Sequence, residues 1–404
     1  MFTEPVTAKD FFDRQYFLTT LIKRAKGLGD GYRQNVAIFG PEYIGKTSLI
    51  LQFVSQIREL SLNGLPVYME VTNSIPFNHL VKRFLATVIF DFLKTTDSNP
   101  PEDLDKLINN SLEEFHNFSK TPVRNPFGIL SKKIMLQKNI MYVISSSQLT
   151  MARKILSRDL TFLFGNFEVL TLDNFDIKTS EDLINKKLLN IKCSPDYRQF
   201  IVEVTNGNPL YLNVISAEIN ALAQKNNSKF ITDRIIVDAL LNLIFSSEGI
   251  LNQLFDHRLG QLPVNRSPIS YSSILLALGR GFSRARQMID YLKIKSEKDF
   301  SNHLNRLLEL DYVQRSGFFY HLHDKLFKIW LSHVYEARIS GLEVDSVVKK
   351  ERFREAMQTE LNNFLFDKRK DMIERITELI SSFNNEIIYL NSKKIILPPL
   401  KVTE

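Results

Sequence analysis

Apolar residues recur at three- and four-residue intervals through residues 11–28 (FFDRQYFLTTLIKRAKGL), which predicts an amphipathic helix, and Asp30-Gly31 breaks the pattern. Asn35–Phe39 (NVAIF) is then a short apolar run of strand type, leading through Gly40-Pro41 into a second helical pattern at residues 47–60. Another strand is predicted at residues 66–71 (PVYMEV), after the Asn63-Gly64 turn, followed by a strongly apolar helix at 77–94 and the polar break TTDSNPP. Residues 102–118 read as a helix with Glu102 and Asp103 in its first turn, where the macrodipole favours acids. The two prolines of residues 120–127 (KTPVRNPF) mark a loop. Beyond it come a helix, a strand at 139–145 (NIMYVIS), a helix from Thr150 and a strand at 167–172. Strands alternating with helices predict a parallel sheet built from βα units.

After Asp176 the strand patterns stop. Residues 180–260 predict four or five helices, broken at Asn206-Gly207-Asn208-Pro209 and at Asn226-Asn227. Residues 265–335 predict three short helices and a hairpin turning near Arg315-Ser316-Gly317. Residues 345–404 predict one long charged amphipathic helix, then a small hairpin at 386–397 that turns at Asn391-Ser392. No internal repeat is visible.

With 404 residues the chain is sized for two to three domains. Its 44% hydrophobic and 24% charged residues are ordinary for a globular protein and exclude dominant disorder. Cys193 is the single cysteine, which excludes an intrachain disulfide and a multi-cysteine zinc site. The N-terminal segment MFTEPVTAKDFFDRQ has no basic stretch followed by an apolar run, so a secretory signal is not expected. The greasiest runs, 239–245 and 274–278, fall short of the roughly 18 residues that cross a membrane, and a cytoplasmic location without membrane contact is expected. The formal charge of +7 permits phosphate or nucleic-acid contacts without requiring them, a solvated basic surface being the plainer explanation.

One segment carries chemistry. Gly40-Pro41-Glu42-Tyr43-Ile44-Gly45-Lys46-Thr47 matches G-x-x-x-x-G-K-[ST] at every fixed position, directly after a predicted strand and at the opening of a helix. Such a loop curls so that successive N–H groups point inward, and the helix N-terminus adds its partial positive charge. Lys46 would reach the β- and γ-phosphates of a nucleotide, Thr47 would help hold Mg²⁺, and Ser48 is placed for a further phosphate contact. P-loop NTPases also use a carboxylate at the end of a second core strand. Between Val71 and Asn139 no apolar strand ends in Asp or Glu. Glu70 follows the loop so closely that it belongs to a flanking strand, and Glu113 and Glu114 fall on a polar helix face. The element is expected near residues 119–131, which read SKTPVRNPFGILS.

The layout resembles the archaeal-type P-loop ATPases of the STAND and AAA+-like class, relatives of the archaeal origin-recognition proteins. Phe11, Arg14, Leu18 and Leu21 resemble the family's F-x-x-R-x-x-x-L-x-x-L helix beside the adenine, and residues 35–48 its Walker A segment. Thr205-Asn206-Gly207-Asn208-Pro209-Leu210-Tyr211-Leu212 resembles the G-x-P-x-Y-L signature opening a lid helix near the nucleotide. Residues 270–333, ending in Tyr320, His323-Asp324, Phe327 and Trp330-Leu331, are similar to its winged helix. Residues 139–147 are similar to its sensor strand. The resemblance spans about residues 8–340 and implies ATP with Mg²⁺, with Arg14 and Pro209 joining the loop around the nucleotide. Two departures stand out: no paired Asp-Glu, and Asn166 where an Arg would follow Phe164-Gly165. Losing an arginine finger alone can cost about 10³–10⁵ in rate, so binding is expected to outlast efficient hydrolysis.

The expected architecture is α/β, a P-loop parallel sheet at 1–176, a helical lid at 177–262, a winged-helix domain at 263–340 and a C-terminal helix with a small hairpin at 341–404. The expected function is an ATP-binding switch with weak or lost hydrolysis, acting through a protein partner or self-association. Two alternatives stand beside it, a DNA-binding winged-helix regulator with a vestigial P-loop and a competent ATPase with an unrecognised carboxylate. For DNA, residues 297–310 offer Ser301, Asn302, Asn305 and Arg306, with Arg284, Arg286 and Arg315 nearby. Glu297, Asp299, Glu309 and Asp311 flank the same surface and oppose phosphate. His321 and His323 share a strand face without the ligands of a metal site, and the tail cations interleave with acids as on a salt-bridged exposed helix.

Overall fold

All five residues of β1 (Asn35–Phe39) are buried, as a continuous apolar run demands of a central parallel strand. In the computed structural model, β1 pairs in parallel with β2 (Val143–Ser146) on one edge and β3 (Phe167–Thr171) on the other. The register sets Phe39 opposite both Ser146 and Thr171, so the three strands end together beside Gly40. The structure describes residues 4–60, 62, 64–71, 83–84, 86–92, 134–155, 157, 167–189, 191–263, 269–339, 346–381, 386–390 and 393–397.

Alternation along β1 gives the sheet two faces. Val36 and Ile38 pack with Leu18 and Leu21 of α1 (Gln15–Gly29) and with Leu49, Phe53 and Ile57 of α2 (Lys46–Glu59). Ala37 and Phe39 face Ala152 of α3 (Leu149–Lys154). The first helix opens at Gln15 and not at residue 11 because Asp13 and Arg14 are left-handed, with φ of 57° and 66°. The strand expected at 66–71 is absent: the segment is half-buried and irregular. Both edges of β1 are taken by β2 and β3, and no described strand pairs with residues 66–71. The predictions at 102–118, 120–127 and 119–131 lie outside the described residues.

The helical half follows as α4 (Ile177–Leu188), α5 (Pro195–Thr205), α6 (Pro209–Lys225), α7 (Asp233–Leu240) and α8 (Ile250–Gly260). Asp176, Ser194, Asn208 and Thr232 cap four of these helices by accepting N–H bonds from the first turn, and Pro195 and Pro209 start two of them. Next come α9 (Tyr271–Gly279), α10 (Ala285–Tyr291) and α11 (Glu297–Glu309), then the antiparallel pair β4 (Val313–Ser316) and β5 (Phe319–Leu322). After α12 (Lys325–Trp330) the chain continues through a π turn, Leu331–Tyr335. The tail is two helices, where one was expected. Between α13 (Ser346–Arg369) and α14 (Met372–Ser381), the Asp371 carboxylate accepts the Glu374 N–H at 2.7 Å and starts a new helix. The paired strands β6 (Glu386–Leu390) and β7 (Lys393–Leu397) close the chain.

One cluster of buried side chains runs unbroken from Phe175 to Leu361, through α4–α12 and onto Phe353, Met357 and Leu361 of α13. Trp330 sits at its centre, stacked 5.8 Å from Phe327 and donating its indole N–H to Asn252 Oδ1 at 2.7 Å. Arg354 on α13 reaches Asp238 on α7 at 3.0 Å, and Lys368 pairs with Asp196. Residues Asp233–Gly260 are long and apolar enough by composition to cross a membrane, with mean hydropathy 1.4, yet 61% of that window is buried in this core. Separate reading of shorter runs misses it because the average extends across the break at residues 246–249.

Candidate functional site

The loop between β1 and α2 is held closed by three backbone constraints. At Gly40 any Cβ would meet the Leu172 carbonyl at 2.5 Å, so only glycine lets the loop pass over the end of the sheet. Tyr43 is left-handed at φ 62°, and Gly45, at φ 92°, is the N-cap of α2. Ile44 anchors the loop by burying its side chain in the sheet core. The first-turn N–H groups of α2 therefore face into the loop, where they lack helical partners.

Lys46 is buried at the first position of α2, and its ammonium donates to the carbonyls of Gly40 (2.9 Å) and Pro41 (2.6 Å). Burial pushes its pKa down to about 8, while Glu42 pulls in the opposite direction. A desolvated cation above a ring of N–H groups is an anion site by its chemistry. Thr47 is half-buried beside it. The Ser48 hydroxyl accepts the Val6 N–H at 3.1 Å and so ties the N-terminal segment to α2.

Two other predicted residues arrive at the same end of the sheet. Arg14 is buried, donates to the Asp173 carbonyl at 2.5 Å and lies 4.6 Å over the Phe175 ring. Burial lowers its pKa, against the opposing charges of Asp13 and Asp173. Its Nε and the neighbouring Asn174 Oδ1 are buried without a hydrogen-bond partner among the described residues, and orphaned polar atoms of this kind require an explanation. Pro209 opens α6, and Asn208 before it caps Leu210 and Tyr211 while its amide reaches the Glu42 carbonyl at 3.5 Å. Gly207, at φ 70°, accepts the Phe175 N–H at 2.9 Å. Residues 172–175 thus gather the P-loop, Arg14 and the 206–209 turn into one place.

A polar cluster that sequence reasoning did not single out completes the rim. Arg258 of α8 lies 3.7 Å from the Glu42 carboxylate and 3.0 Å from Asp324, and the Tyr211 hydroxyl donates to Asp324 at 2.5 Å. Burial opposes the Arg258 charge, but Asp324, Tyr211 and Glu42 together raise its pKa above the ordinary value. Burial, reinforced by Asp324, likewise holds the Tyr211 phenol well above its usual range.

The expected metal carboxylate near 119–131, Glu113, Glu114 and the Phe164-Gly165-Asn166 turn lie outside the described residues. Glu70 is exposed and in no strand. Ser146 ends β2 beside Phe39, its hydroxyl accepting the Gln148 N–H at 3.2 Å. Among the described residues no group of three His, Cys, Asp or Glu side chains forms a metal site.

The cations considered for DNA have partners within the chain. Arg286 pairs with Asp290 (3.3 Å) and Glu297 (3.2 Å), Arg306 with Glu309 (2.9 Å), and Arg315 bonds the Gly317 carbonyl. Arg284 lies 4.9 Å over the Phe319 ring, and the Ser301 hydroxyl is bonded to the Glu297 carbonyl. Asn302 and Asn305 are exposed. The end of α11 docks on the sheet half, where Thr150 donates to Asp311 at 2.7 Å. A cleft of about 600 Å³ opens there, away from the P-loop and lined by Asn305, Glu309, Asp311 and Arg315.

No family model and no curated protein matches the sequence. Solved structures do match the fold. A Walker-type ATPase of Pyrococcus abyssi is 19% identical with a TM-score of 0.55, over 82% of this chain and 99% of that one. The ORC2 protein of Aeropyrum pernix is 14% identical with a TM-score of 0.52, over 84% of this chain and 98% of that one. At such identities the likeness shows the fold: a parallel P-loop sheet with surrounding helices and further helical elements after it.

Proposed function

We propose that this P-loop protein binds ATP with Mg²⁺ and works as a nucleotide-dependent switch whose hydrolysis is weak. The buried Lys46 ammonium, held at the mouth of a loop that only glycine can close at Gly40, is the observation that carries this reading. On binding, Lys46 would exchange two carbonyl partners for phosphate oxygens, and the N–H groups of Gly45, Lys46 and Thr47 would meet the same phosphates. Bound Mg²⁺ would neutralise phosphate charge, with the Thr47 hydroxyl as one of its ligands. The orphaned Arg14 Nε and Asn174 Oδ1 supply a donor and an acceptor suited to the edge of a base, with Phe175 as an apolar neighbour and Pro209 on the lid side. The Aeropyrum ORC2 protein forms ADPNP and ADP complexes, which favours adenine over guanine.

Weak hydrolysis rests on the sequence, which predicts no acid-ending strand between Val71 and Asn139 and has Asn166 after Phe164-Gly165. In this reading residues 177–262 form the lid and 263–340 a winged-helix unit in which Arg284, Arg286, Arg306 and Arg315 are engaged within the chain. The output is therefore assigned to a protein partner or to self-association, ahead of DNA.

Titration of ATP and ADP against wild type and Lys46→Ala tests the proposal, with an expected fall in affinity of at least about tenfold from losing a charge-assisted contact. A fall below about threefold would sink it. Steady-state turnover with Mg²⁺ should equal the Lys46→Ala blank. Clear turnover above that blank would instead place an active carboxylate within the chain.

A further inference from the structure

The sheet and the long helical half have separate cores. Among the described residues two ion pairs cross between them, Lys154–Glu309 at 3.6 Å and Arg258–Glu42 at 3.7 Å. The first is exposed on both sides, the geometry of an ion pair that contributes little. The second is built differently. The side chains of Arg258 and Asp324 are only 13% and 12% exposed.

Arg258 is fixed from three directions. Its guanidinium lies 4.9 Å from the rings of both Tyr312 and Phe327, which sets its plane. Its Nη1 bonds Asp324 Oδ2, which also accepts the Tyr211 hydroxyl, and Asp324 Oδ1 accepts the Phe327 N–H at 3.0 Å as the N-cap of α12. The Tyr312 hydroxyl donates back to the Arg258 carbonyl at 2.6 Å. Groups from α6, α8 and α12 therefore hold one another, and the Nε of Arg258 is left directed at Glu42.

Glu42 sits where the P-loop turns. The Pro41 carbonyl before it is bonded to Lys46, and Tyr43 after it is left-handed and packs against the helical core. Any rotation of the loop at these residues moves the Glu42 carboxylate. An anion at Lys46 and the Glu42 carboxylate also compete for the same positive field, so occupation of the loop bears on the Arg258 contact, and the reverse must hold.

We propose that Arg258 is a positioning residue for the P-loop: clamped by Asp324 and Tyr211 on the helical half, it holds Glu42 and couples the conformation of the loop to the start of α12. What the coupling is used for rests on the nucleotide-switch reading, whereas the coupling itself is testable without nucleotide. Hydrogen exchange of the full chain, wild type against Glu42→Gln, is the experiment. Glu42→Gln keeps the size of a half-exposed side chain and removes its charge. Exchange should accelerate about three- to tenfold both in residues 40–48 and in residues 324–330, which lie across the Arg258 bridge. Acceleration confined to residues 40–48, or none at all, would overturn the coupling, because a purely local contact has no reason to reach α12.

Asp324→Asn is the converse variant and should speed exchange in residues 40–48. If it fails to fold, the Glu42→Gln comparison still decides. Adding ADP to the wild type separates the two levels. Protection of residues 40–48 by ADP, with residues 324–330 unmoved by Glu42→Gln, would leave nucleotide binding standing and remove the coupling. No response to ADP, with residues 324–330 accelerated by Glu42→Gln, would do the opposite.

Discussion

At the scale of single residues, Lys46 makes the sharpest statement. Burial lowers its pKa from 10.5 to about 8, so near pH 8 the ammonium is half lost in the free protein. A phosphate partner favours the charged form and returns the pKa upward. Binding must then take up a proton above pH 8, and affinity must fall as pH rises. Between pH 7 and pH 9 the expected loss in ADP affinity is about tenfold, with proton uptake at pH 9 visible by calorimetry in buffers of different ionisation heat. Stability of the free protein has the other sign. Between pH 8 and 10.5 the unfolded chain binds the proton that the folded one does not, so this residue contributes stability as pH rises. The eight residues of the loop were legible in sequence because their spacing is local. Arg258 was not, since nothing near it marks it, and Asp324 stood out only within the winged-helix resemblance; they acquire their place beside the loop from Glu42 and Tyr211 respectively, each more than a hundred residues away.

At the scale of elements, Gly207 shows how a turn between helices can be tied to the sheet. A Cβ there would lie 2.2 Å from the Phe175 carbonyl, at φ 70°. Gly207→Ala should cost more than about 2 kcal/mol, combining backbone strain with a forced shift of the linker. Gly281→Ala, at φ 93° with nothing within 4 Å, should cost only the strain of about 1 kcal/mol. Thermal or denaturant unfolding of the two variants checks the difference. Elements whose signals are local were read well: β1 as a continuous apolar run, the capped helices after Asp176, and the β4–β5 pair turning at Gly317. The two failures have different causes. Residues 66–71 have the composition of a strand but no described partner to pair with, and pairing is a property of the sheet. The break at Asp371 is one carboxylate choosing to cap a helix where it could have extended one.

At the scale of the molecule, α13 braces the helical half. Phe353, 1% exposed, packs 5.5 Å from Phe245, at the end of the π turn Leu241–Phe245 that follows α7. Phe353→Ala should cost about 3–5 kcal/mol by opening a cavity. That loss should appear as faster exchange throughout α4–α12, while β1 and α2 keep their protection, because their core is separate. Protection lost equally in both halves would contradict a division of the molecule into two packed units. The parallel register of β1 also has a consequence for how the chain is made. Val36 waits for Val143, and Asn35 for Phe167, so an apolar strand near the N-terminus leaves the ribosome long before either neighbour exists. Loop closure over such separations is slow, and an unpaired apolar strand is a hazard for as long as it lasts. The helices after Asp176 can begin to pack on near neighbours, α4 on α6 and α6 on α7, although α13 reaches α7 only after more than a hundred further residues. The sheet half is thus the earlier to be synthesised, and β1 stays an exposed apolar strand until residues 143–146 and then 167–171 have emerged to cover its two edges.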